Sequence, residues 1–352
     1  MAHDNMPEVT GVLSWFPLEL PVRQSVLGLF VAKWIIGALR PLVQLNVPDL
    51  LSDGPLSASD IADATGTDAD ALYRVLRCTA SAGILVEGED GRFGLTPAAE
   101  GLRSDVHGSS RDMFLFVSDP MLWRPCENVL HTVRTGEPSF DNQFGMSFYE
   151  YLKANPASNA THRRAMLQNR FSSIDRILAE YDFGRFARIA DVGGGVGQFL
   201  AEVLKRHPQS TGVLCDQPHV VVEAKDVVQR EGVADRVTLM ETDFFTQVAE
   251  GCDAYLIKYT LHNWNDEKAE LILRRIREAI GDNSEARLVV IELLLSGRGQ
   301  WDLGKLIDID MLTLGGRMRD LEDWKRLAAT AGFELVNDPT PGDLVLLEFR
   351  PA

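Results

Sequence analysis

Hydrophobic positions fall into two rhythms along this chain. Up to about residue 180 they recur at helical spacing, and from 187 they gather in short runs that alternate with helical stretches. Residues 21–40 form the first predicted helix, stopped by Pro41. Ser57, with Asp60 three residues on, marks a helix start before "IADATG", and Gly66 marks its end. A second helix begins near Asp68 and sets Leu72, Val75, Leu76 and Thr79 on one face. "GILVEGEDGRFGLT" then reads as two short strands around a turn at Asp90-Gly91, which completes a winged helix. Residues 111–180 read as mostly helical, broken at Pro120, at Gly136-Glu137-Pro138 and at Pro156.

The second rhythm starts with the apolar strand "ARIADVG", followed by a helix over 198–207 and the strand "TGVLCD". A helix over 218–231, the strands "RVTLME" and "DAYLIKY", and a helix over 266–280 come next. That helix aligns Ala269, Ile272, Leu273, Ile276 and Ile280. The strand "ARLVVIEL", a helix over 320–331 and the pair "FELVND" and "DLVLLEF" close the chain. Alternation of this kind builds an α/β domain, a parallel sheet with helices on both faces. The turn "PTPG" is too short for a parallel crossover, so the final strand is expected to run antiparallel.

Composition narrows the function. The 352 residues are 45% hydrophobic and 24% charged, enough for a sizeable core and about two domains. The net charge of −16 disfavours nucleic acid. The winged helix follows suit: Asp60, Asp63, Asp68, Asp70, Glu87, Glu89, Asp90 and Glu100 face only Arg74, Arg77 and Arg92, so a structural or dimerisation role is expected rather than DNA binding. Cys78, Cys126, Cys215 and Cys252 lie far apart, which argues against a metal site or a disulfide framework and fits a cytoplasmic protein. The acidic, polar start "MAHDNMPEVT" is unlike a signal peptide, and the apolar run 25–39 is too short to span a bilayer and carries Lys33.

Between the first strand and helix of the second half lies "ADVGGGVGQF" (190–199). Glycines at 193, 195 and 197 allow a sharp turn and close ligand approach, but their spacing differs from the dinucleotide pattern. Asp191 beside the loop would repel a pyrophosphate and receive an ammonium group. A zwitterionic ligand such as S-adenosylmethionine meets both conditions. Asp216 ends the next strand, where it can accept ribose hydroxyls, and "TDFF" (242–245) offers Asp243 to the adenine amine and Phe244 to its face. "IKYTLHNWND" (257–266) places one histidine, His262, just past a strand, either as packing or as a base.

"VRTGEPSFDNQFGMSFYEYLKANP" (133–156), "DVGGGVG", "CDQPHVV", "TDFF", "LHNWND" and "DIDMLTLGGRMR" (308–319) together resemble, in order, the class I S-adenosylmethionine-dependent O-methyltransferases of the plant caffeate/flavonoid type and their bacterial natural-product relatives. The resemblance runs from about residue 20 to 349. It implies a Rossmann-like class I methyltransferase domain with an N-terminal, mostly helical winged-helix dimerisation domain. The expected divisions are 1–105 for dimerisation, 106–180 as a helical lid and 181–352 for the cofactor, in a homodimer that binds neither nucleic acid nor membrane.

The same resemblance implies cofactor contacts at Gly193, Asp216, Asp243, Phe244 and Lys258, beside Asp191 and Gly195 of the glycine loop. It implies His262 as general base, with Glu292 as the carboxylate that orients it. Met166, Asn263, Met311 and Met318 form the implied substrate-facing set. Two departures stand out: Asn263 replaces the usual Asp, and Met318 replaces a Glu that supports the histidine. Their loss opens a second reading, a family member that keeps the cofactor for hydroxylation, decarboxylation or a pericyclic step. Trp123, Phe140, Phe148 and Phe171 suggest an apolar, ring-bearing substrate, although aromatic residues fill cores equally well.

Overall fold

Pro41 does not stop the first helix. In the computed structural model, which describes residues 27–168, 173–337, 339–340 and 344–352, the helix runs Leu27–Gln44 straight through it. The ring removes one amide donor, but Leu39, Leu42 and Val43 around it are buried, and that burial outweighs the lost bond. The expected helical residues 21–26 lie outside the described residues.

The chain divides into two units. One comprises the residues up to Glu127 together with Met146–Arg170, the other Asn128–Gly145 together with Phe171–Ala352. The stretch 106–180, expected as a separate lid, is therefore shared between them. The break falls where helix Val129–Thr135 and helix Ser139–Phe144 pack against helix Leu303–Leu314 of the second unit.

In the first unit, Ser57 and Asp60 cap helix Ala58–Thr65 reciprocally: the Ser57 Oγ accepts the Asp60 amide at 3.1 Å, and the Asp60 carboxylate accepts the Ser57 amide at 3.2 Å. Asp68 caps helix Ala69–Ser81. Strands β1 (Leu56–Ser57), β2 (Leu85–Glu87) and β3 (Arg92–Leu95) form an antiparallel wing in the order β1-β3-β2. β1 was not expected, since two residues carry no periodicity. Ile61, Leu72, Leu76, Leu85 and Phe93 join Leu42 in the core, and Val75 is only half-buried.

The second unit holds β4 (Arg188–Val192), β5 (Thr211–Asp216), β6 (Val237–Glu241), β7 (Ala254–Lys258), β8 (Arg287–Leu295), β9 (Arg319–Asp320), β10 (Phe333–Leu335) and β11 (Leu344–Pro351). Their order is β10-β11-β8-β7-β4-β5-β6, with β9 alongside β8. β4 to β8 pair in parallel, and β11 runs antiparallel to both β8 and β10, as the short final turn requires. Helices cover both faces: Tyr255 and Ile257 pack with Ile272 and Trp324, while Leu256 between them packs with Leu200 and Val289. No helix among the described residues is long and apolar enough to cross a membrane, and no His, Cys, Asp and Glu group there could hold a metal ion.

Candidate active site

Parallel pairing brings the carboxyl ends of β4, β5, β6 and β7 to one edge of the sheet. Cα partners Val192 and Cys215, and Asp216 and Glu241, fix the alignment. Past β4 the chain turns through Gly193, Gly195 and Gly197 at φ +67°, +61° and +78°. Gly194 between them has no room for a side chain: a Cβ would stand 2.5 Å from the Asp191 carboxylate and from Leu214. Asp191 is 1% exposed, and its Oδ2 has no hydrogen-bond partner among the described residues. Burial raises its carboxyl to about 7; Lys258 opposes that rise and Asp216 adds to it.

The neighbours of Asp191 differ in how they are held. Asp216 accepts the Gly195 amide at 2.8 Å and the Gln217 amide at 2.7 Å, and burial pushes its carboxyl up. Lys258 ends β7 with its ammonium 5.1 Å from the centre of the Tyr259 ring and 5.8 Å from that of Phe199. Asp243 is exposed and accepts the Phe245 amide at 2.9 Å. Phe244 is half-buried, edge-on to Trp264. The expected cofactor residues thus lie together in one unit.

His262 lies on a single 3-10 turn, Leu261–Asn263, just past Tyr259, whose backbone is left-handed at φ +50°. Its Nδ1 is 2.7 Å from Oε2 of Glu292, which is 1% exposed. The other carboxylate oxygen accepts the Thr260 amide at 3.2 Å and the His262 amide at 3.4 Å. A carboxylate only accepts, so Nδ1 donates and, in the neutral ring, Nε2 keeps its lone pair. Register explains the meeting: Lys258 pairs with Ile291 across β7 and β8, and Glu292 is the next residue. Glu292 lies inside its strand, because β9 and β11 extend β8 to Leu295.

Of the expected substrate-facing residues, Asn263, Met311 and Met318 belong to the second unit and Met166 to the first. Asn263 turns its amide back to the Tyr259 carbonyl at 3.3 Å. Met318 is 3% exposed, packed inside the unit, and its amide donates to Asp308 at 2.7 Å. Met311 is half-buried on helix Leu303–Leu314, whereas Met166 is exposed on helix Pro156–Gln168 of the other unit. Phe140 and Phe148 are core residues, Trp123 is partly exposed, and Phe171 lies outside the described residues.

One residue of the site escaped the sequence reading. Arg319, 1% exposed, donates to the Leu261 carbonyl at 3.0 Å, the Trp264 carbonyl at 2.9 Å and the Asp266 carboxylate at 3.0 Å, so it clasps the His262 turn from behind. The Arg317 amide donates to the His262 carbonyl at 2.8 Å, and Gly316 lies against that carbonyl so closely that a Cβ would overlap it. Nothing in "GGRMRD" distinguishes Arg319 from a surface arginine. Arg319→Ala strands these acceptors and is expected to cost about 3 kcal/mol or more, read as a lowered denaturation midpoint; an unchanged midpoint contradicts the clasp.

Residues 127–334 match the O-methyltransferase domain family, and residues 28–105 match the O-methyltransferase dimerisation domain. The chain is 38% identical to the 8-amino-8-demethylriboflavin N,N-dimethyltransferase of Streptomyces davaonensis, covering 93% of this chain and 96% of that protein. It is 34% identical to the phenazine O-methyltransferase PhzM of Lysobacter antibioticus over 94% and 97% of the two chains. The crystal structure of LaPhzM superposes with a TM-score of 0.87 at 33% identity, over 95% of this chain and all of that one. NcsB1 from neocarzinostatin biosynthesis, solved with S-adenosylmethionine and 2-hydroxy-5-methyl naphthoic acid, gives 0.80 at 27% identity over both full chains. With the glycine loop, the strand-end acids and the histidine–carboxylate pair all in one unit, the chain belongs to the S-adenosylmethionine-dependent O-methyltransferases.

Proposed function

We propose that this enzyme methylates a phenolic or enolic hydroxyl of a small aromatic or polyketide-like natural product, and that His262 takes the hydroxyl proton. The observation that carries this is the His262–Glu292 pair at 2.7 Å, which leaves Nε2 with its lone pair. Glu292 stabilises the imidazolium that forms, a role that an uncharged Met318 cannot share. Curated relatives include the mitomycin 6-O-methyltransferase of Streptomyces lavendulae, 33% identical over 95% of each chain, which supports a natural-product hydroxyl. The aclacinomycin 10-hydroxylase RdmB is also a relative, at 31%. The intact histidine–carboxylate pair favours proton removal over that departure.

The residues fit the cofactor. Asp191 holds a buried carboxylate oxygen without a donor, suited to an ammonium, beside a loop where Gly193 and Gly195 let a ligand approach the backbone. Asp216 would take the ribose hydroxyls, Asp243 and Phe244 the adenine, and Lys258 would complete the pocket wall. S-adenosylmethionine supplies the methyl group as a sulfonium, so the chain need only align the hydroxyl, remove its proton and exclude water. Residues 28–105 would join two copies, using Leu29, Phe30 and Trp34, exposed on helix Leu27–Gln44. The division into dimerisation (1–105), lid (106–180) and cofactor (181–352) segments is proposed on the same basis.

Two measurements test this reading. Incubated with methyl-labelled cofactor and a panel of phenols and naphthols, the enzyme is expected to release S-adenosylhomocysteine. His262→Ala is expected to leave cofactor affinity unchanged and cut turnover by roughly 10²–10⁴-fold, and turnover that survives removes the histidine from the role of base. The second concerns pH. Because burial raises Asp191 to about 7, its carboxyl is uncharged below that pH, whereas an ammonium needs the carboxylate. Affinity for S-adenosylhomocysteine is therefore expected to fall as pH drops below about 7, approaching tenfold per unit, with a proton released on binding at about pH 6. Calorimetric titration reads both, and a slope that persists in Asp191→Asn contradicts the assignment.

A further inference from the structure

The glycine loop and the His262 turn leave the sheet side by side. Asp191 pairs with Leu256 across β4 and β7, so the residues that follow the two strands meet at the same edge. Gly193 and Thr260 are neighbours there: a Cβ on Gly193 would stand 3.1 Å from Cγ2 and 3.2 Å from Oγ1 of Thr260, and 3.4 Å from the Phe244 ring. The glycines of the loop differ in this respect. Gly195 is also left-handed, at φ +61° against +67°, yet a Cβ there would meet no described atom within 4 Å. One glycine therefore faces open space, and the other is shut against the turn that carries the histidine.

Thr260 has little freedom to yield. It is buried and follows the left-handed Tyr259. Its amide donates to Oε1 of Glu292 at 3.2 Å, its hydroxyl donates to the Lys258 carbonyl at 3.0 Å, and its carbonyl accepts the Asn263 amide at 3.2 Å. The carboxylate that takes the Thr260 amide on Oε1 meets His262 Nδ1 on Oε2, at 2.7 Å. Close-packed interiors transmit strain rather than absorb it. A push on Thr260 from Gly193 thus reaches the imidazole through a single carboxylate.

We infer that Thr260 is a positioning residue that ties the cofactor loop to the base, so that one side chain sets the methyl donor and the proton acceptor relative to each other. This rests on the proposed roles of the glycine loop and His262 and deepens them. Methyl transfer needs donor, hydroxyl and base in line, and a displacement of about 1 Å costs on the order of 10²-fold in rate. Thr260 acts through Gly193 on one side and Glu292 on the other, not on a reacting atom.

The test reads the His262 ring by nitrogen NMR in the full-length enzyme, without substrate. Gly193→Ala puts a methyl group against Thr260, which must give by a few tenths of an ångström, and is expected to shift the His262 ring resonances. Gly195→Ala carries a like left-handed strain into open space and is expected to leave them in place. Thr260→Ser removes Cγ2, and combined with Gly193→Ala it is expected to return the resonances toward the wild type. Alone, Thr260→Ser is expected to lower kcat by about tenfold with affinity for S-adenosylhomocysteine little changed, since the cofactor binds but is less well aligned. A ring indifferent to Gly193→Ala, an equal shift in Gly195→Ala, no return in the double variant, or an unchanged kcat in Thr260→Ser overturns the inference. So does a loss in Thr260→Ser carried by cofactor affinity alone, and this arm decides the matter if Gly193→Ala does not fold. Should His262→Ala keep its turnover, the proposed base fails, while a ring that answers to Gly193→Ala leaves the link in place.

Discussion

The contact between Glu292 and His262 sets what the rest of the second unit must achieve. A carboxylate 1% exposed in the interior of a strand is costly unless donors surround it, and here the donors are the imidazole and the two amides of the turn that carries it. The strand therefore fixes backbone and ring together. That demand explains the left-handed Tyr259, which bends the chain out of β7 in time for the Thr260 and His262 amides to reach back to β8. It also explains the packing behind the turn, where Gly316 makes room for the His262 carbonyl and Arg319 satisfies the carbonyls that point away from the ring. Arg319 acts on the turn rather than on any reacting atom, which makes it a positioning residue.

A division of labour runs along the sheet edge. β4, β5 and β6 end in acids and glycines, suited to a polar, partly cationic ligand, while β7 and β8 meet in the histidine–carboxylate pair. Most buried charge in this unit is neutralised within the chain. Among the described residues of this unit, the buried carboxylate oxygen left without a donor is on Asp191, and it marks a place where stability is given up for binding.

How much of this was legible in the sequence depended on how local each signal was. The Ser57–Asp60 cap, the glycine loop and the amphipathic helix Asp266–Ile280 are set by neighbours in the chain, and each appears where its pattern put it. Strand alternation and the antiparallel last strand followed from spacing alone. What was missed depends on contacts between distant residues. Pro41 is carried through its helix by burial that local rules do not see, and β1 exists only because Phe93 of β3 pairs with Leu56. Helix Leu303–Leu314 was read only as a motif, since its apolar residues lie all round it. The full length of β8 depends on its pairing with β9 and β11, which come later in the chain. Arg319, 58 positions from the Leu261 carbonyl it binds, left no local trace.

The central claim is that Glu292 holds the His262 ring with its proton on Nδ1 and a bare Nε2 facing outward. Nitrogen NMR of the histidine-labelled enzyme reads this directly, with His262→Gln used to assign the resonance. The account predicts that neutral His262 carries its proton on Nδ1, and that Glu292→Gln, which weakens the acceptor, shifts the ring toward a mixture of tautomers. A neutral His262 protonated on Nε2 in the unaltered enzyme, or a tautomer indifferent to Glu292→Gln, would contradict it.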